Sequence, residues 1–272
     1  MKTIISSYQA VLLMVGGIIS TTILFLPGLL VDKSKYDAWL AGLLLIIISY
    51  IISFIYILLS HRMGEKNIVE FIKKNLGNKI SYVFSLILII HFLTVSGVVI
   101  RETSEIMVSA YMIETPLWFF NLTILLLAAF FVYYGLEVMA RTMEIVFYFF
   151  FLFFILIILF EINKLNLSYM LPVLGEGIKP VIKSIYPGLI YFSEIFLIFI
   201  FRPHLKNKNS INKILLISIS IIGILFLMTI VSTIALFGVD LVKELSFPLL
   251  AFTRYVETYK IVERLDVLCM FY

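Results

Sequence analysis

Residues 8–30 read YQAVLLMVGGIISTTILFLPGLL, a stretch without one charged side chain. A helix of roughly 20 apolar residues crosses the hydrocarbon layer of a bilayer, so this stretch reads as a membrane span. Lys2 is the one charge before it, and the stretch is longer than the apolar region of a cleaved signal peptide. Gly16, Gly17 and Pro27 lie inside it, with Ser20, Thr21 and Thr22 after the glycines, so the span is expected to be broken part way.

Working outward, similar blocks recur at 39–59, 80–100, 116–134, 143–160, 181–201 and 214–238, making seven spans. An eighth opens near Val262 and reaches the last residue, Tyr272. A C-terminally truncated chain is the expectation, because a half-inserted helix leaves its final carbonyls without partners in hydrocarbon. Composition agrees with a polytopic membrane protein. Of 272 residues, 62% are hydrophobic and 14% charged, where soluble domains carry roughly 25% charge. Mean hydropathy is +1.11. A soluble globule, a coiled coil, a collagen and a disordered chain are excluded. The net charge of +4 is too small to suggest nucleic acid and fits loop cations beside lipid. Cys269 is the single cysteine and has no internal disulfide partner. His61, His91 and His204 are far apart, with no Cys–His cluster and no Gly-rich phosphate loop, so no enzyme, cofactor or metal is expected.

Short loops set the orientation. Arg62, Lys66, Lys73, Lys74 and Lys79 follow span two, and Arg202, Lys206, Lys208 and Lys213 follow span six. Between spans three and four, Arg101 stands beside Glu102, Glu105 and Glu114. These cations place the N-terminus in the cytoplasm. Segment 61–79 interleaves Ile68, Val69, Phe71 and Ile72 with cations and reads either as a stretch along the inner membrane surface or as a solvated loop. Glu137, Arg141 and Glu144 are spaced for a chain of ion pairs at the end of span four, and Arg101 with Glu105 and Glu263 with Arg264 read as structural charges too.

Spans one and six both carry Gly and Pro (Gly16, Gly17, Pro27; Pro187, Gly188, Pro203), and each opens a block of about five spans. Broken helices at matching positions in two halves point to an inverted-repeat transporter fold with a site at the midplane.

Several short stretches carry a more specific likeness. They are Ile5, Ser6 and Gln9; Ile23, Leu24 and Pro27; Asp37, Ala38 and Trp39; Thr115 with Pro116; and Gly135 to Arg141. Pro172 to Pro180 follows, then Ser246, Phe247 and Pro248 with Glu263 to Asp266. In this order they resemble the endospore germination permeases, the B subunits of spore germinant receptors, related to amino-acid permeases of the amino acid, polyamine and organocation superfamily. The resemblance covers nearly the whole chain. It implies an all-α polytopic membrane protein with an amino-acid-permease-like inverted-repeat bundle of five plus five spans. Residues 1–160 would be the first repeat and 181–272 a partial second, in one transmembrane domain. Implied too are a small-molecule germinant, an amino acid first of all; a companion membrane subunit and a lipoprotein subunit; and a place in the spore inner membrane. Ser20 stands where such permeases usually show a glycine, and set against these ten-span proteins the second half is expected to lack its last spans.

The ligand-binding candidates are Gly17, Ser20, Thr21 and Thr22 in span one, His91 and Val95 in span three, and Pro187, Gly188, Tyr191 and Glu194 in span six. In a broken helix, freed N–H groups receive a carboxylate and freed carbonyls an ammonium, which suits a zwitterion. Alternatively the hydroxyls bond their own helix. Glu194 is the foremost candidate, because a carboxylate at membrane depth costs on the order of 3 kcal/mol and marks a pathway or a partner. Its alternative is a protonated structural carboxyl. His91 and Val95 share a helix face, and the histidine either meets ligand or serves the core. An ion-coupled secondary amino-acid transporter is the competing function, and a non-functional remnant a third.

Overall fold

The computed structural model describes residues 4–256. Ten α-helices lie among them: α1 (Ser7–Ser34), α2 (Ala38–Met63), α3 (Ile68–Leu76), α4 (Asn78–Ala110), α5 (Leu117–Tyr134), α6 (Leu136–Glu161), α7 (Ile178–Phe192), α8 (Leu197–Phe201), α9 (Ile211–Glu244) and α10 (Pro248–Val256). Short 3-10 turns link several of them, and no strand is named among the described residues. Six helical runs are long and apolar enough to cross a membrane: Thr22–Met63, Asn78–Ala110, Leu117–Tyr134, Leu136–Lys164, Ile178–His204 and Lys208–Glu244. Ser7–Ser20 is a shorter apolar helix. The first run contains the 3-10 turn Lys35–Asp37 between α1 and α2, so the seven expected spans correspond to α1, α2, α4, α5, α6, α7 continued by α8, and α9. The architecture is that of an all-α polytopic membrane protein. The expected eighth span, with Glu263 and Arg264, lies outside the described residues.

Four differences from the sequence reading matter. First, α1 is unbroken, running from Ser7 to Ser34 through the glycines and Pro27. Ser6 starts it with a capping box: its side chain accepts from Gln9 N–H at 3.1 Å, and Gln9 Oε1 accepts from Ser6 N–H at 2.9 Å. Second, α4 continues to Ala110 and so includes Glu102 and Glu105, which the sequence suggested were loop charges. Third, α6 begins at Leu136, so the Arg141 Nη2 to Glu137 Oε1 ion pair, 2.7 Å, belongs to its first turns rather than to the end of span four. Fourth, segment 61–79 holds the helix α3.

The core sits where α1 packs against α9, α7, α6 and α2, with α2 also against α9 and α7. Met14, Ile18, Ile19, Leu26, Phe192, Phe226 and Ile230 are fully or almost fully buried there. Helices approach closely at small residues, as membrane interfaces require. A Cβ on Gly188 of α7 would lie 2.3 Å from Leu45 Cδ1 of α2, and one on Gly42 of α2 would lie 3.0 Å from Ile230 Cδ1 of α9. In contrast, α4 and α5 are peripheral, exposing Ile87, Ile90, Leu93, Leu125, Leu126 and Phe130. In water that would be costly, whereas lipid chains cover such side chains without penalty.

Polar contacts gather at the two ends of the bundle. At one end Ile5 N–H donates to His204 O (2.9 Å), Lys206 N–H donates to Ile5 O (3.0 Å), and Ser7 Oγ donates to Ser210 Oγ (2.7 Å). This ties the start of α1 to the end of span six, the pairing that the loop cations suggested. At the other end Leu174 N–H donates to Asp37 Oδ1 (2.8 Å), Lys35 pairs with Glu176, and Asn166 N–H donates to Ala235 O (2.8 Å).

Candidate functional site

Span six carries the break. Pro187 inside α7 has no N–H, so the carbonyl four residues earlier lacks its helical partner. Two serines bond their own backbone around it: Ser184 Oγ donates to Val181 O (2.7 Å) and Ser193 Oγ to Ile190 O (2.6 Å). After Phe192 the helix tightens into the 3-10 turn Ser193–Phe196 before α8 resumes. Glu194 lies in that turn.

This turn faces Gly17 of α1. A Cβ on Gly17 would stand 3.2 Å from Leu197 Cδ1 and 4.0 Å from Glu194 Oε2, so the glycine leaves the carboxyl group room beside the helix. Glu102, reaching in from α4, lies close enough to Glu194 for the two charges to repel. The Tyr191 hydroxyl reaches the Glu102 carboxyl group. One Glu102 oxygen, Oε2, is buried without a hydrogen-bond partner. Among the described residues neither Glu102 nor Glu194 forms an ion pair, while the neighbouring Arg101 is engaged by Glu105 at 2.5 Å. The result is two carboxyl groups and a phenol at membrane depth, contributed by span three and span six, with a glycine of span one alongside. A cation beside these carboxyl groups would favour their ionised form, the more so in a medium of low dielectric constant.

The other candidates distribute as follows. Ser20 Oγ donates to Gly17 O (3.3 Å) and Thr22 Oγ1 donates to Ile18 O (2.5 Å), so both hydroxyls bond their own helix, the alternative that the sequence left open. Thr21 lies between them in the same unbroken helix. The space beside Gly188 is filled by Leu45, which makes it a packing position. His91 and Val95 are half-buried on α4, and the His91 ring stands edge-on to Phe92 at 5.4 Å.

Glu102 is the residue that sequence reasoning missed. A signal existed: His91, Val95 and Glu102 fall at i, i+4 and i+11, which on a helix is one stripe. Phe84, seven residues before His91, extends that stripe and meets Phe196 of the 3-10 turn at 6.4 Å between ring centroids. Ending span three at residue 100 hid the stripe's acidic end. For a metal, no group of three or more His, Cys, Asp or Glu stands together among the described residues.

The fold and this cluster define a class: a polytopic helical membrane protein with a cluster of polar side chains inside the bundle. The chain belongs to the spore germination protein family, whose model matches residues 4–272. It is 26% identical to spore germination protein KB of Bacillus subtilis (strain 168) over 273 residues, covering 99% of this chain and 72% of the relative. It is 24% identical to spore germination protein YndE of the same organism (92% and 72% covered). With spore germination protein XB of Bacillus anthracis it shares 25% identity (98% and 75% covered).

Proposed function

We propose that this protein is the germinant-recognition subunit of a spore germinant receptor and binds a small germinant, first of all an amino acid, beside the 3-10 turn of span six. The observation that carries this reading is the Glu194–Glu102–Tyr191 cluster against Gly17: paired carboxyl groups without a cation, inside a bundle of a germination family. An ammonium group is the complement of such a site. Span one contributes a smooth, unbroken wall at Gly17, and span six the irregular backbone; the division into a first repeat, 1–160, and a partial second, 181–272, belongs to the same reading. The site is expected at the spore inner membrane, with a companion membrane subunit and a lipoprotein subunit to receive the signal. Binding can signal when the germinant prefers one arrangement of the bundle over another.

Deletion of the gene, with single amino acids and nucleosides added to purified spores, tests the function through dipicolinic acid release, alongside uptake in growing cells. Lost release for one germinant with normal uptake supports the receptor. Lost uptake with normal germination replaces it with an ion-coupled amino-acid transporter. At the site itself, Glu194→Gln is expected to abolish the response while the protein still accumulates, and an unaltered response in a well-expressed variant would sink the assignment.

A further inference from the structure

The loop between α2 and α4 holds a second feature, independent of the germinant site. Its helix α3 is bracketed by Gly64 (φ 58°) and Gly77 (φ 88°), left-handed positions that turn the chain sharply at both ends. Gly77 alone separates α3 from α4, and residues 64–67 separate it from α2, so two spans hold α3 at the level where the membrane ends. Inside, Ile68 is buried, Phe71 and Ile72 pack on the core, and Ser81 Oγ of α4 donates to Val69 O at 3.1 Å. Outside, Val69, Leu76, Ile80 and Tyr82 expose apolar surface at the same level.

Against this apolar rim lies an open hollow of about 430 Å³ lined by Lys66, Glu70, Lys73, Lys74 and Asn78. Spacings of three and four residues place the lysines and Glu70 on one face of the segment. Lys74 stands so near Lys66 that it holds the Lys66 ammonium below the ordinary lysine range. Glu70, the acid of the hollow, is engaged with the backbone: Asn67 N–H donates to Glu70 Oε2 (3.1 Å), the return half of the capping box in which Glu70 N–H donates to Asn67 Oδ1 (2.8 Å). None of the three lysines forms an ion pair among the described residues. Three cations thus converge on a space that holds one acid, whose carboxylate also accepts from the Asn67 backbone.

We infer that this hollow binds the phosphate headgroup of an anionic phospholipid, with Lys66, Lys73 and Lys74 around the phosphate and the exposed apolar side chains of α3 and α4 beside the acyl chains. A headgroup fits better than a soluble anion because the lysines share their level with Val69, Leu76, Ile80 and Tyr82, the pairing of basic and apolar surface that an interfacial helix presents to lipid. Bound lipid would brace the turn between the second and third spans, and through α4 the element that carries Glu102.

The test uses the full chain in nanodiscs of phosphatidylcholine titrated with phosphatidylglycerol, counting retained lipids by native mass spectrometry. Basic residues near an anionic surface contribute about fivefold each, so Lys66→Gln with Lys74→Gln is expected to lower phosphatidylglycerol affinity by at least about tenfold. Lys66→Arg with Lys74→Arg is expected to keep it. Lys206→Gln with Lys213→Gln, which removes the same charge from the same end of the molecule, is expected to lower it less, because neither lysine lines the hollow. Equal losses in both glutamine pairs would reduce the effect to overall charge and overturn the site. Displacement of phosphatidylglycerol by millimolar inorganic phosphate would overturn the lipid assignment in favour of a free anion.

Discussion

Two glycines of the predicted site play opposite parts, and the difference lies in what a single methyl group would meet. On Gly188 it would stand 2.3 Å from Leu45 Cδ1 and 2.9 Å from Cδ2, and Leu45 is fully buried. Gly188→Ala is therefore expected to destabilise the bundle by about 1–3 kcal/mol, seen as a lower melting temperature in detergent. On Gly17 it would meet the flexible end of Leu197 at 3.2 Å and come within 4.0 Å of Glu194 Oε2. Gly17→Ala is expected to melt close to the parent protein while weakening the germinant response; the reverse ranking of the two variants would refute this division. The sequence marked both glycines alike, since glycine in a span signals close approach without saying to what. Glu194 was legible because a lone acid in an apolar run stands out. Glu102 was not, because it lies in the charged stretch Arg101–Glu105 and its burial comes from another element.

At the scale of elements, the sequence foresaw breaks in spans one and six, and the structure shows one of them. Glycine in a helix costs roughly 1 kcal/mol relative to alanine, which is small beside the burial of Ile18, Ile19, Ile23 and Leu26 along α1. Tertiary packing therefore overrides the glycine pair in span one, whereas span six tightens into its 3-10 turn after Pro187. The end of span six held a further surprise: Arg202, which read as a loop cation, is 3% exposed. Its Nε donates to Ser60 Oγ (3.0 Å), Nη1 to Lys66 O (2.6 Å), and Nη2 to Ser60 O (3.2 Å) and to Gly64 O. The Ser60 and Gly64 acceptors lie at the C-terminal end of α2, where carbonyls lack helical partners and the helix dipole favours a cation. Arg202→Met is expected to cost on the order of 3 kcal/mol, because buried carbonyls lose a charged donor. Arg202→Lys should recover only part of it, since one ammonium cannot reproduce the spread of the guanidinium. Equal melting temperatures for the parent and Arg202→Met would show that water replaces these bonds at no cost.

Over the whole molecule, the loop cations foretold a pairing of ends that the contacts bear out: Ile5 with His204 and Lys206, Ser7 with Ser210, and Arg202 with Ser60 and Gly64 gather at one end of the bundle. Lys35 with Glu176 and Asp37 with Leu174 close the other. Periodicity and charge could supply this much because hydrocarbon forbids an unpaired backbone, so each apolar run must be a helix that crosses or turns back. Which helices form the core was not legible, for α4 is more apolar than span six (Ile178–His204) yet faces largely outward, and hydropathy does not distinguish lipid from protein as a neighbour. The two ends imply a measurable sidedness. In a Cys269→Ser background, Lys179→Cys at the start of α7 and Lys206→Cys after α8 should be labelled by a membrane-impermeant maleimide from opposite sides. With the N-terminus in the cytoplasm, as the loop cations suggest, intact cells should label Lys179→Cys, and Lys206→Cys only after permeabilisation. Labelling of both from one side would break the assignment of α7 and α8 to a single crossing. The reversed pattern would keep the fold and invert it, putting the α3 lysines on the outer leaflet.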